Sequence, residues 1–418
     1  MNAQIKVKYL TFGCKLNFSE TSSLRDKLLK IGYLEALKGE TAQICVVNSC
    51  AVTQEAEHKC RQALHRLHRE NPDARIYIMG CYAELKADEI GKIPGVARVI
   101  KQSEKPLADR IIQDAEVQLP DTPQFAPSCS RGNRTRYFLK VQDGCNYFCT
   151  YCTIPFARGR SCNGSIASLV KQAENVAAEG GQEIVLTGVN IGDFGRTTGE
   201  TFFDLIQALD KVEGIERYRI SSIEPNLLTD DIIAFCAQSR AFMPHFHIPL
   251  QCGCDEVLKL MRRRYDTALF RHKIEKIKEV MPDAFIGVDV IVGMRGETEE
   301  YFEQAYAFIE SLDIQQLHVF PYSERPGTKA LEIPHVVTPQ DKHARLQRLL
   351  ELSEAKRLKF YGQYQGTVRP VLWEGQTGQG WTDNYIRVEK ADKTEIHGIT
   401  PVLLGPFNAD QSCLTHNP

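Results

Sequence analysis

Between residues 137 and 320 the chain alternates six short apolar runs with amphipathic segments, and this alternation constrains the fold more than any other feature. The runs are Tyr137–Gln142, Glu183–Thr187, Tyr218–Ser222, His245–Pro249, Phe285–Val292 and Gln316–Phe320. Helical periodicity fills the gaps over Ser168–Glu179, Phe202–Lys211, Thr229–Gln238, Ala268–Val280 and Thr298–Leu312. Strands and helices in strict alternation predict parallel strands with helices laid against them. The expected architecture is α/β: a partial, TIM-like (β/α)6 barrel or an open doubly wound sheet. A long helix over Pro339–Tyr361 ends the block.

The first hundred residues repeat the pattern on a smaller scale. Strands are expected at Ile5–Thr11, Ile44–Asn48 and Arg75–Met79, helices at Ser19–Ile31 and Thr53–Arg69, and a closing run at Val96–Ile100. This predicts an N-terminal parallel-sheet domain over 1–115. Pro120, Pro123 and Pro127 break the polar stretch that follows, so 116–134 reads as a linker to a central domain over 135–361. The remainder, 362–418, has short alternating runs (Val368–Trp373, Tyr385–Val388, Pro401–Leu404) between Gly-rich turns, the pattern of a small β-barrel or sandwich.

Composition matters chiefly through 14 cysteines in 418 residues. An apolar share of 43% with 25% charged residues excludes a disordered or fibrous chain. The net charge of −2 excludes a uniformly basic nucleic-acid coat but not a local basic patch. No run approaches the ~18 apolar residues of a membrane span, and Met1–Thr11 lacks a signal-peptide core. A cytoplasmic location is therefore expected, without a membrane partner. There, cysteines more often bind metal or catalyse than form disulfides.

Cys145, Cys149 and Cys152 fall within eight residues, just after the first strand of the central series. Three thiolates satisfy three irons of a [4Fe–4S] cube and leave the fourth open. Zinc, which prefers four protein ligands at a structural site, and buried core cysteines are the other readings. Cys14, Cys50 and Cys81 are distant in sequence, yet each follows a predicted N-terminal strand. In a parallel sheet all three loops open at the carboxyl edge, the usual ligand crevice. A second three-thiol cluster site is thus plausible there. Cys45, inside an apolar run, reads as core.

The spacing C-x3-C-x2-C, with Tyr151 before the last cysteine, resembles the radical S-adenosylmethionine (SAM) superfamily. That resemblance implies a [4Fe–4S] cluster whose open iron binds SAM, with contacts from Tyr151, Gly188, Asn190, Glu224, Gln251 and Gly293. Gly188 and Gly293 read equally well as turn glycines. The segments Thr11–Asn17, Val47–Thr53, Gly80–Tyr82, Gly144–Cys152, Ile154–Gly159 and Ser221–Pro225 extend the resemblance, through almost the whole chain, to the radical SAM methylthiotransferases. Gln142–Gly144, Leu186–Asp193, His245–Leu250 and His318–Ser323 resemble the branch acting on N6-threonylcarbamoyladenosine in tRNA, next to the anticodon. The family implies a second [4Fe–4S] cluster on Cys14, Cys50 and Cys81, an external electron donor, and a carboxyl-terminal RNA-binding TRAM module at 362–418. It assigns no protein acid or base. In its chemistry one SAM methylates sulfur at the auxiliary cluster and another yields the radical that takes hydrogen from C2 of the adenine. Sister branches modify isopentenyladenosine in tRNA or a ribosomal-protein aspartate, and a non-catalytic, zinc-stabilised RNA-binding protein is the reading from a different class.

Two departures from the family pattern stand out. Gln251-Cys252-Gly253-Cys254 replaces an expected Gln-Ser-Gly, and Gly293-Met-Arg-Gly-Glu297 replaces a Gly-Phe-Pro-Gly-Glu turn. Cys252 and Cys254 read as structural, Arg295 as a basic contact at the barrel mouth or a solvated turn residue, and His245 and His247 as packing histidines. For RNA, the stretch from 131 to 160 sets Arg131, Arg134, Arg136, Lys140, Arg158 and Arg160 against Asp143 alone, and Arg262, Arg263 and Arg264 form a second basic run. The tail carries more acids than bases, so RNA contact there would rest on Trp381, Asn384 and Tyr385.

Overall fold

The computed structural model describes residues 4–118, 125–130, 135–375, 378–390 and 397–417. Arg131 and Arg134 lie outside the described residues.

The N-terminal sheet is built from β1 (Lys6–Thr11), β2 (Leu34–Glu35), β3 (Ile44–Ser49), β4 (Arg75–Gly80) and β5 (Val96–Val99), in the order β2-β1-β3-β4-β5. Every pairing is parallel. The central strand β3 is buried along its length, and its side chains alternate between two cores. Ile44 and Val46 meet Leu24 and Leu28 on one face; Cys45 and Val47 meet Cys60, Leu64 and Leu67 on the other.

One helix departs from expectation. It runs Lys15–Lys30, beginning directly after Cys14 rather than at Ser19. Its first turns bury Asn17, Ser19, Thr21 and Ser22. A polar buried face has no apolar periodicity, which is why the sequence pattern starts late.

The central strands are β6 (Ser128–Cys129), β7 (Arg136–Lys140), β8 (Gln142–Asp143), β9 (Cys162–Asn163), β10 (Glu183–Thr187), β11 (Arg217–Ile220), β12 (His245–Gln251), β13 (Phe285–Val292) and β14 (Gln316–Pro321). Two sheets, β11-β10-β7-β6 and β12-β13-β14, are joined by the parallel bridges Tyr218–Phe242 and Ser222–His247. The six expected strands β7, β10, β11, β12, β13 and β14 thus lie side by side in chain order, all parallel. The stretch read as a linker holds β6, which pairs antiparallel with β7. A two-residue edge strand carries no periodicity, so the prolines dominate the sequence signal there.

At the carboxyl terminus, β15 (Val368–Trp373), β16 (Gln379–Thr382), β17 (Arg387–Glu389), β18 (Ile399–Phe407) and β19 (Leu414–Asn417) close into a barrel, not a sandwich. Its core contains Val371, Trp373, Val388 and Leu404, and reaches Phe285 and Phe360 of the central block.

This barrel docks at the amino ends of the central strands. Arg217 donates to the Trp381 and Pro370 carbonyls at 3.0 and 2.8 Å. Arg219 donates to those of Asp383 and Thr382 at 2.9 and 2.8 Å. Tyr385 lies against His245, ring centroids 4.0 Å apart, and stacks on Trp381 at 4.5 Å. Asn384 is fully buried and accepts from the Thr382 hydroxyl. Of the expected RNA contacts, Trp381 and Tyr385 are therefore interdomain packing, and Asn384 is buried within the barrel. Aromatics in a polar tail read as a stacking platform only until their packing partners are known. No helix among the described residues is long and apolar enough to cross a membrane.

Candidate active site

The carboxyl edges of the two parallel sheets face each other, and all six singled-out cysteines lie at that junction. The helix Ile154–Arg158, which follows the cysteine loop, packs on the helix Cys81–Leu85, which begins with a thiol of the other set.

In the central loop each thiol receives one N–H. The Tyr147 amide donates to Cys145 Sγ at 3.4 Å, the Ile154 amide to Cys152 Sγ at 3.5 Å, and Arg263 Nη1 to Cys149 Sγ at 3.0 Å. Phe148, between Cys145 and Cys149, sits at φ +50°, in the left-handed region. Burial pushes the Cys145 thiol up to about 11 and Cys152 to about 12, each raised further by its neighbouring thiols. Such thiols keep their protons at neutral pH unless a cationic centre displaces them. Among the described residues no three His, Cys, Asp or Glu side chains close on a single metal ion. A cube gives each thiolate its own iron, so it suits thiols spread around a centre rather than converged on a point.

Around this loop the structure gathers several expected cofactor residues. Arg263 forms an ion pair with Glu224 and lies 3.4 Å from the Tyr151 hydroxyl. Gln142 links the cysteine loop to the end of β10: its amide nitrogen donates to the Gly144 carbonyl at 2.7 Å, while its oxygen accepts from the Val189 and Asn190 amides. Gln142 received no role from sequence, although it opens one of the quoted motifs. Asn190 is buried with neither side-chain amide atom partnered, the condition of a group waiting for a polar ligand. Gln251 ends β12 at φ +65°, beside an irregularity in the strand register. Packing explains the two glycines. A Cβ at Gly188 would sit 3.0 Å from Gln142 and 2.8 Å from Ile191, and one at Gly293 would strike Lys342. Gly293 lies in a turn, at φ +75°, under the long helix.

The second triad is assembled by three loops. Cys14 caps the helix Lys15–Lys30, Cys50 follows β3, and Cys81 opens its helix. Gly13 (φ +92°) lies so close to Cys50 that a Cβ would fall 2.8 Å from its sulfur. Burial pushes Cys50 up to about 11, and Cys81 and Cys14 add to the rise. Arg158 Nε donates to Cys81 Sγ at 3.3 Å.

Two of the arginines expected to touch RNA are thus buried at the thiols. Arg158 binds Asp143 at 2.9 Å and Glu20 at 3.1 Å, and donates to Asn17 Oδ1. Its side chain is 1% exposed. Arg263, 3% exposed, is held by Glu224 and Cys149. A dense basic run shows which charges exist, not which ones the fold turns inward. Arg160, Arg262 and Arg264 remain exposed. Arg160 lies over the Phe148 ring at 4.5 Å and Arg264 over Tyr147 at 4.0 Å. Arg295 is not a freely solvated turn residue: just beyond the carboxyl end of β13, it is held by Glu324 and the Leu331 carbonyl. Cys252 and Cys254 are buried in an apolar cluster with Met261 and Met294. A cavity of about 730 Å3 between the lobes is lined by Glu20, Lys140, Asp143 and Arg160, and none of the six cysteines lines it.

Residues 6–101 match the Uncharacterized protein family UPF0004, and residues 139–309 match the Radical SAM superfamily. The chain is 37% identical over 409 residues to the threonylcarbamoyladenosine tRNA methylthiotransferase MtaB of Bacillus subtilis (strain 168), covering 91% of this chain and 89% of the relative. It is 32% identical to the protein of the same name from Aquifex aeolicus, over 96% of this chain and all of that one.

The chain belongs to the radical SAM methylthiotransferase family.

Another family relative, the tRNA-2-methylthio-N(6)-dimethylallyladenosine synthase of Thermobifida fusca, is 34% identical over 88% of this chain and 77% of its own. Among solved structures, the radical S-adenosylmethionine methyltransferase TsrM of Kitasatospora setae superposes with TM-score 0.58 over 78% of this chain and 77% of that one. At 14% identity it shares the fold alone.

Proposed function

We propose that this methylthiotransferase adds a methylthio group to C2 of N6-threonylcarbamoyladenosine beside the anticodon of tRNA. The observation that carries the reading is the meeting of two three-thiol sites across one domain junction, in a chain whose relatives of that printed name match it nearly end to end. Cys145, Cys149 and Cys152 would hold the radical SAM cluster, and Cys14, Cys50 and Cys81 an auxiliary [4Fe–4S] cluster. Residues 1–115 would form the auxiliary domain and 135–361 the radical domain, a partial (β/α)6 barrel. Residues 362–418 would form a TRAM-like module.

When bound, the reduced cluster and SAM supply a radical able to remove hydrogen from an unactivated carbon. The protein's own part is placement. Asn190 offers an unsatisfied amide to the polar end of SAM, and Glu224, held by Arg263, stands at the third strand end where the ribose would lie. Arg158 links the Cys81 loop to Asp143, two residues before Cys145. That fixes the distance between the sulfur source and the radical, and geometry of this kind governs the rate of a radical capture. Exposed Arg160, Arg262 and Arg264, two of them over aromatic rings, would hold the phosphates of the single-stranded loop. A loop base leaves its stack at small cost.

The test is anaerobic reconstitution, with 5′-deoxyadenosine release and nucleoside mass spectrometry as readouts. Cys149→Ala should abolish SAM cleavage. Cys50→Ala should retain cleavage and lose methylthiolation. Methylthiolated product from Cys50→Ala would overturn the auxiliary site, and product on dimethylallyladenosine alone would move the chain to the sister specificity.

A further inference from the structure

The inner face of the parallel strands carries a polar layer used neither by the fold nor by the thiol sites. Strand alternation sets His247, Asp289 and His318 on this face, with Asp289 directly across from His318 in register. The His247 and His318 rings stack at 5.1 Å with planes 13° apart. His247 Nε2 lies 2.8 Å from Asp289 Oδ1, and about a fifth of each of these two side chains is exposed. One layer toward the amino ends, His245, Arg217 and Arg219 are sealed by the carboxyl-terminal barrel. Toward the carboxyl ends stand Glu224, Arg263 and Cys149. There is room before the histidines at Gly287, where an added Cβ would meet His318 Nε2 only at 3.6 Å, an ordinary contact. The other lobe contributes Lys15, exposed and adjacent to Cys14. Its positive charge acts on both His245 and His318.

We infer that Lys15, His318 and the His247–Asp289 pair form the subsite for the threonylcarbamoyl substituent of the target base, with Lys15 on its carboxylate and the imidazoles on its hydroxyl and carbamoyl groups. The inference rests on the substrate proposed above and names what would select it. A dimethylallyl group is pure hydrocarbon. Seating it here would strip water from two imidazoles, a carboxylate and an ammonium without replacing a single hydrogen bond, and sites built this way reject the analogue that lacks the polar group. The threonylcarbamoyl group returns those bonds. Burial, aided by His247 and Lys15, holds His318 below the usual imidazole range, so it meets the ligand as a neutral ring with one donor and one acceptor. Asp289 lies against His247 and is itself an anion, which leaves Lys15 to take the ligand's charge.

The experiment is competition binding to the reconstituted full-length protein, using anticodon stem-loop RNAs that carry threonylcarbamoyladenosine, dimethylallyladenosine or plain adenosine. The wild-type protein should favour the threonylcarbamoyl stem-loop over the other two by about tenfold or more. Lys15→Met and His318→Phe should each bring that ratio close to one. Lys15 is exposed, so its variant keeps the test decisive even if the inner-face substitution disturbs folding. Variants that keep the wild-type ratio would overturn the subsite while leaving the substrate assignment standing. A wild-type protein without the preference would overturn the substrate assignment, and the subsite with it.

Discussion

Arg158 and Arg263 each place a guanidinium on a cysteine of one triad, and each is itself held by carboxylates. Guanidinium suits this position because its fixed fork serves several acceptors at once; lysine would serve one. Arg158→Gln would leave Glu20 and Asp143 buried with less positive charge around them. Removing one partner of a buried ion pair costs about 3–5 kcal/mol. We expect an earlier onset of unfolding by calorimetry, together with weaker methylthiolation than SAM cleavage. The exposed arginines behave differently. Arg160→Ala should lower the slope of log tRNA affinity against log salt by about one, the signature of one lost phosphate contact, measured by filter binding across a salt series. Sequence alone could not separate the two kinds, because Arg158 and Arg160 are two residues apart and carry the same charge. What separates them is the N-terminal lobe, which covers one and leaves the other in water.

Among the elements, the long strands were legible and the short ones were not. Phe285–Val292 is found as expected, and Ile44–Asn48 gains only Ser49, because continuous apolar runs survive any local context. The two-residue strands Leu34–Glu35 and Ser128–Cys129 exist only through their neighbours. The start of the helix Lys15–Lys30 escaped because its buried face is polar and faces another domain: the Ser19 and Ser128 hydroxyls meet at 2.9 Å. The carboxyl-terminal barrel makes the same point. Its rim aromatics and backbone carbonyls are the counterpart of Arg217 and Arg219, which Glu183 holds from below at 3.0 Å to Arg219. Glu183→Gln should leave those arginines short of countercharge and loosen the docking by about 3 kcal/mol. Limited proteolysis should then release a fragment from the region around 362–418. Trp381→Ala should act in the same way, through lost packing, by about 3 kcal/mol.

Across the whole molecule, the two lobes are joined at two places. Arg158, Lys140 and Lys105 converge on Glu20 at one. Arg325 pairs with Glu57, and Gln54 reaches the Glu324 carbonyl, at the other. Burial alone would raise the Glu20 carboxyl, but Arg158, Lys105 and Lys140 together hold it well below the usual carboxylate range. Its folded value is therefore lower than its unfolded one. The stabilisation is complete above the ordinary glutamate range, about pH 4–5, and is lost as pH falls through the folded value. Lobe docking should be insensitive to pH from neutral down to about 5 and weaken below that, with expansion visible by small-angle scattering; Glu20→Gln should remove the acid step. The sequence by itself determined the βα order, the two cysteine triads and the family, because hydrophobic period and ligand spacing are local properties written along the chain. Only the tertiary structure decided that Arg158 and Arg263 serve the thiols, that Trp381 and Tyr385 serve a domain interface, and that His247, Asp289 and His318 lie together on one face. Burial and pairing depend on residues up to hundreds of positions away, and no local pattern carries them.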